Sequence, residues 1–144
     1  MGSAYRIESI KLEEGLRAHA IAKEGEPCFL EDLASNGKTR RRATMILRMA
    51  LKVARNGTEW AICAEKLKSV TPTVSVFELR ADGKVLRVMT YVHDDEERTP
   101  VYLFDFDGHQ GKTGKIKASV LEKAKRLAIA ARECMGGQGR DNHD

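Results

Sequence analysis

At 144 residues, with 42% hydrophobic and 32% charged residues, the chain has the size and composition of one globular domain with a single sizeable core. No apolar run approaches a membrane span and the N-terminus lacks a signal-peptide apolar region, so a cytoplasmic protein is expected. Cys28, Cys63 and Cys134 are odd in number and widely spaced and the four histidines show no paired spacing, so no disulfide framework, metal or cofactor is expected.

The net charge of +4 is unevenly spread. Lys38, Arg40, Arg41, Arg42, Arg48, Lys52 and Arg55 form one basic segment without an acid. Lys112, Lys115, Lys117, Lys123, Lys125, Arg126 and Arg132 form a second, opposed by Glu122 alone. The compensating acids sit elsewhere, notably at Asp94-Asp95-Glu96-Glu97. Two basic segments in a small domain point to a polyanionic partner, most often nucleic acid. The simpler alternative is that helices commonly carry basic solvent faces.

In chain order, residues 1–3 are set aside and Tyr5 to Ile10 reads as a first strand. Leu16 to Ala22 returns antiparallel after Glu13-Glu14-Gly15, or forms a short helix. Pro27 opens a short helix, "PCFLEDLASNG", stopped near Asn36-Gly37. Ala43, Ile46, Leu47, Ala50, Val53 and Ala54 recur at helical spacing, and that helix ends at Asn56-Gly57. "TEWAICAEKLKSV" leads onward, with Trp60 as a packing residue.

"VFELRADGKVLRVMTYV", Val76 to Val92, reads as a hairpin turning at Asp82-Gly83, because glycine tolerates the positive φ of a tight turn. A two-residue loop would pair Arg80 with Val85 and Glu78 with Arg87. Alternation then puts Phe77, Leu79, Leu86 and Val88 on a core face. Glu78, Arg80, Arg87, Met89 and Tyr91 fall on the other. Taken alone, this is a solvated face with a Glu78–Arg87 pair worth a few tenths of a kcal/mol.

Val101 to Phe106 is a further strand, followed by the Gly-rich "DGHQGKTGKIKA". "GHQGKTGK" is not a phosphate-binding P-loop, since the position of its first glycine holds Phe106 and Gly114 interrupts the expected helix. Its glycines instead suit a loop presenting Lys112 and Lys115. The last helix is expected to start at Ser119 in a capping box with Glu122, and Val120, Leu121, Ala124, Leu127, Ala128 and Ala131 form its apolar stripe. The composition of residues 135–144 reads as a disordered tail after a domain over 4–134.

The ordered set formed by Phe29 to Leu33, Arg41 to Arg55, Glu65 to Lys68, Glu78 to Val88, Val101 to Phe106, Lys112 to Lys115 and Ser119 to Arg132 resembles the RelE/ParE toxin superfamily, especially its HigB-like, phage-derived branch. The resemblance implies an α+β fold: a small antiparallel sheet with N-terminal helices on one face, a C-terminal helix, and RNA bound on the other face. It implies a type II toxin that cleaves mRNA in the ribosomal A site, without metal, by attack of the RNA 2′-OH on the adjacent phosphate. That chemistry needs a base, cations for the developing charge and an acid. Arg87 matches the strand arginine that contacts the scissile phosphate, Glu78 occupies the general-base position and Lys112 the basic loop position. Arg80, Lys115, Lys117 and Tyr91 are the expected RNA contacts. Two departures stand out: Glu78 replaces a basic residue, and no tyrosine follows Tyr102. His93, Asp105, Asp107 and His109 offer other acids and bases. The expected partners are mRNA on the ribosome and a cognate antitoxin, with a homodimer or toxin–antitoxin complex as the assembly and no membrane partner. The alternatives are a non-catalytic inhibitor of a protein such as DNA gyrase, as in ParE-type members, and a phage-derived module without activity.

Overall fold

The computed structural model describes residues 4–82, 86–107 and 116–141. It has an α+β architecture in three layers. β1 (Tyr5–Glu13) and β2 (Leu16–Lys23) form a hairpin whose turn needs Gly15 at φ 80°. α1 (Phe29–Ser35), α2 (Arg40–Asn56) and α3 (Thr58–Cys63) follow, then β3 (Leu67–Thr71), β4 (Val76–Asp82), β5 (Leu86–Val92), β6 (Pro100–Asp107) and α4 (Ala118–Asp141).

The six strands lie in the order β1-β2-β6-β5-β4-β3. All neighbours are antiparallel except β2 and β6, so the sheet is mixed. The parallel pair makes one registered bridge, Ala20 to Tyr102.

Both faces of the sheet are covered. On one, Ile46, Ala50 and Val53 of α2 and Leu30 of α1 pack with Ala18, Ala20, Leu79, Val88 and Tyr102. On the other, Ala124, Leu127, Ala128 and Ala131 of α4 pack with Ile21, Met89, Tyr91, Val101, Leu103, Phe104 and Phe106. A bulge in β6 explains the second set. Met89 pairs with Phe104 and Thr90 with Tyr102, leaving Leu103 without an opposite residue. The strand's alternation therefore resets, and Val101, Leu103, Phe104 and Phe106 all reach α4 while Tyr102 stays on the α2 side.

α3 ends in a Schellman motif. The Lys66 amide donates to the Ala61 carbonyl and the Glu65 amide to that of Ile62, with Glu65 in the left-handed region at φ 60°.

Several details depart from the sequence reading. β3 is a strand of its own, at the sheet edge. α4 begins at Ala118, so Ser119 lies inside the first turn and is not its cap. The helix continues to Asp141, through the segment whose composition suggested disorder. The β4–β5 register differs by two residues: Arg80 pairs with Arg87 and Glu78 with Met89, with a bulge between Arg80 and Asp82. An even shift preserves which side chains share a face. No helix is long and apolar enough to cross a membrane among the described residues.

Candidate functional site

β4 and β5 place Glu78, Arg80 and Arg87 on the face that α4 covers, near the hairpin end of the sheet. Arg80 and Arg87 stand directly opposite each other. Like charges in that position repel unless something lies between them. Glu78 supplies it. Arg80 Nε donates to Glu78 Oε1 at 3.3 Å, and Arg87 Nη1 donates to Oε2 at 3.2 Å. The side chains are 5% (Glu78), 12% (Arg87) and 23% (Arg80) exposed, so this is a largely enclosed ion cluster and not a solvated pair.

This geometry changes the part expected of Glu78. Each of its oxygens is engaged by a guanidinium, so the carboxylate acts as the counter-ion that positions the arginines. Tyr91 also differs from expectation. It is 3% exposed inside the α4 core and its hydroxyl lies 3.0 Å from His93 Nδ1, so its ring offers no platform for a base. Burial pushes the Tyr91 hydroxyl above its ordinary pKa.

Lys117 is exposed just before α4. Lys112, Lys115 and His109 lie outside the described residues. Lys123 covers the ring of Phe104 at 4.4 Å from its centroid, a cation–π contact on the same face as the cluster.

The helical parts of the two basic segments lie on opposite sides of the sheet. Arg40, Arg41, Arg48, Lys52 and Arg55 are exposed on α2, while Lys123, Lys125, Arg126 and Arg132 ride on α4. α2 nevertheless reaches the hairpin end. Arg42 forms an ion pair at 2.5 Å with Asp105, which the β6 bulge turns toward the α2 side. Arg42 Nε is sealed from solvent without a hydrogen-bond partner among the described residues. Asp105 is therefore occupied structurally, and it faces away from Arg80 and Arg87.

Glu8, Cys28 and Glu31 bring ligand atoms within 4.8 Å of one another, a grouping across β1 and α1 that spacing in the sequence did not reveal. The Arg6 guanidinium bonds Glu8 at 3.2 Å. A hydrogen bond with Glu8 and repulsion from its charge hold the Glu31 carboxyl above the usual carboxylate range. The Arg6 guanidinium thus already supplies a cation to this group.

A groove of about 530 Å³ opens where β2 and β6 diverge, lined by residues of β2, α2 and the segment before β6. Among these is His19, which burial and the neighbouring Arg17 hold below its ordinary pKa of 6.5.

No protein family, curated protein or solved structure is found to match this chain.

Proposed function

We propose that this protein is a RelE/HigB-like toxin that acts on mRNA at the ribosome, in the cytoplasm, and is held inactive by a cognate antitoxin. The observation that carries this reading is the pairing of Arg80 directly opposite Arg87, with Glu78 bonded to both. A hairpin built only for stability has no need of two opposed guanidiniums, whereas a phosphodiester in flight between two oxygens does. In this reading Arg87 and Arg80 neutralise the developing phosphorane charge and Glu78 fixes their spacing. The exposed cations of α2 and Lys117 hold the surrounding RNA backbone.

One observation favours a second reading, a non-catalytic inhibitor of a protein target. Arg87 is only 12% exposed, and a scissile phosphate reaches it only if the covering segments move. Inducible expression with 5′-end mapping of cellular RNA separates the two. New 5′ ends within translated messages, carried over to purified ribosomes and leaving 2′,3′-cyclic phosphate, are expected of the toxin. Growth inhibition with supercoiling defects and no new 5′ ends would establish the alternative.

A further inference from the structure

The groove between β2 and β6 lies on the sheet face opposite the arginine cluster and at the other end of β6. Its existence has a local cause. β2 and β6 share one registered bridge, at Ala20 and Tyr102, and β6 starts at Pro100, which has no amide proton to donate to β2. The strands therefore part at this end. Small residues (Gly15, Ala18, Ala50, Ala54 and Gly57) leave the gap unfilled. A closing wall comes from the segment before β6. Asp95 accepts from the Thr99 amide and hydroxyl, and Arg98 pairs with Glu59 of α3, which pins Glu97, Thr99 and Pro100 at the rim.

The floor is Tyr102. Its residue exposure is 1%, and the ring belongs to the core beneath α2. Its hydroxyl has no hydrogen-bond partner among the described residues, yet it is not among the polar atoms sealed from solvent. The opening that the residue lines is this groove. A phenol at the base of an opening, without a protein partner, is a donor that an acceptor on a bound molecule can satisfy. Burial also raises its pKa, so it stays a neutral donor.

We propose that this groove is a binding site for a small, largely apolar organic molecule that carries one hydrogen-bond acceptor, such as a carbonyl, directed at the Tyr102 hydroxyl. The volume suits it, since ligand sites typically span roughly 300–1,000 Å³ and combine apolar walls with a few fixed polar groups. Ala18, Ala50, Val53 and Ala54 supply the walls. Arg17, His19 and Glu97 add charged and polar groups to the lining. The site is separate from the arginine cluster and does not depend on the RNA reading.

The test uses two probes of matched shape, acetophenone with an acceptor and ethylbenzene without one, titrated into the full-length protein and followed by amide NMR shifts. Saturable shifts at Gly15, Ala54 and Thr99 are expected for acetophenone, with affinity on the order of tenfold above ethylbenzene. Tyr102→Phe removes only the unpartnered hydroxyl, so it should keep the fold and thermal midpoint while erasing the difference between probes. Ala54→Phe fills the groove from α2 and should abolish binding of both. The absence of saturable shifts, or an acetophenone preference that survives Tyr102→Phe, would overturn the proposal.

Discussion

Glu78 and Arg87 do not face each other across the β4–β5 ladder; they meet on the diagonal at 3.2 Å, and the residue directly opposite Arg87 is a second arginine. The carboxylate is almost fully enclosed, which makes it the group that suffers when a partner is removed.

Arg87→Ala leaves Glu78 paired with Arg80 but removes the bond to its second oxygen, and a lost hydrogen bond to an enclosed charged group typically costs about 1.5–3 kcal/mol. Urea denaturation should show a loss near that size, whereas Arg48→Ala on the exposed side of α2 stays within about 0.5 kcal/mol. Equal, small effects for Arg87→Ala and Arg48→Ala would mean that the cluster is effectively solvated.

For activity, Arg80 is the cleaner probe, because its side chain is more exposed than that of Arg87. If the pair clamps a phosphate, Arg80→Ala should lower mRNA cleavage roughly a hundredfold with little change in thermal midpoint. A folded Arg80→Ala protein with undiminished cleavage would detach the arginines from the chemistry.

RNA or ribosome affinity should fall with added salt, since each phosphate contact releases counterions. The helical parts of the basic segments occupy two faces, so neutralising Arg41, Arg48 and Lys52 together should reduce the salt slope without changing cleavage per bound molecule. A slope that does not move excludes α2 from the contact surface.

Glu65 occupies the left-handed position of the α3 Schellman motif, where a side chain is disfavoured and glycine is not. It is exposed, so Glu65→Gly removes no packing and should raise stability by about 0.5–1 kcal/mol. A lower thermal midpoint would show that the Glu65 side chain contributes more than its backbone costs.

His19 gives stability a pH dependence of definite sign. Its folded pKa lies below 6.5, held down by burial and by Arg17 and only partly offset by Asp95 and Glu97. Below pH 6.5 the unfolded chain therefore binds this proton more readily than the folded one. Stability should be complete above about pH 7 and decline as pH falls from 6.5 toward the folded pKa. His19→Gln should flatten the unfolding free energy across that window. Asp95, which burial raises but the hydrogen bonds from Thr99 bring below 3.8, loses its contribution only at more acidic pH, so the two are separable.

The faces of the β4–β5 hairpin were legible because alternation of Phe77, Leu79, Leu86 and Val88 survives a two-residue error in register. The bulges after Arg80 and at Leu103 were not, since neither carries a residue type that announces a break in the ladder. The β6 bulge was the more consequential. It delivers Phe104 and Phe106 to α4 and thereby closes the face that the resemblance leaves open for RNA. β3 was hidden by its short, polar sequence, and the continuation of α4 by the glycines of its last turns. The arginine–carboxylate cluster was visible as a set of residues; its enclosure was not, because enclosure comes from packing by distant segments. The groove lay beyond sequence reasoning altogether, because its walls are gathered from three separate stretches of chain.

The parallel β2–β6 pairing also sets an order of events during synthesis. The β1–β2 hairpin emerges from the ribosome first, but its place in the sheet is beside the strand made last, at Pro100 to Asp107. Until that strand is available, the inner edge of β2 has no neighbour, and α4, whose Cys134 thiol donates to the Tyr5 carbonyl, has not been made to cover β1. Closure of the sheet thus waits until three helices and three further strands have followed β2, and such long-range pairing folds slowly with an exposed strand edge in the meantime. Until β6 is made, that edge of β2 stays open and the arginine hairpin lacks its neighbour in the sheet.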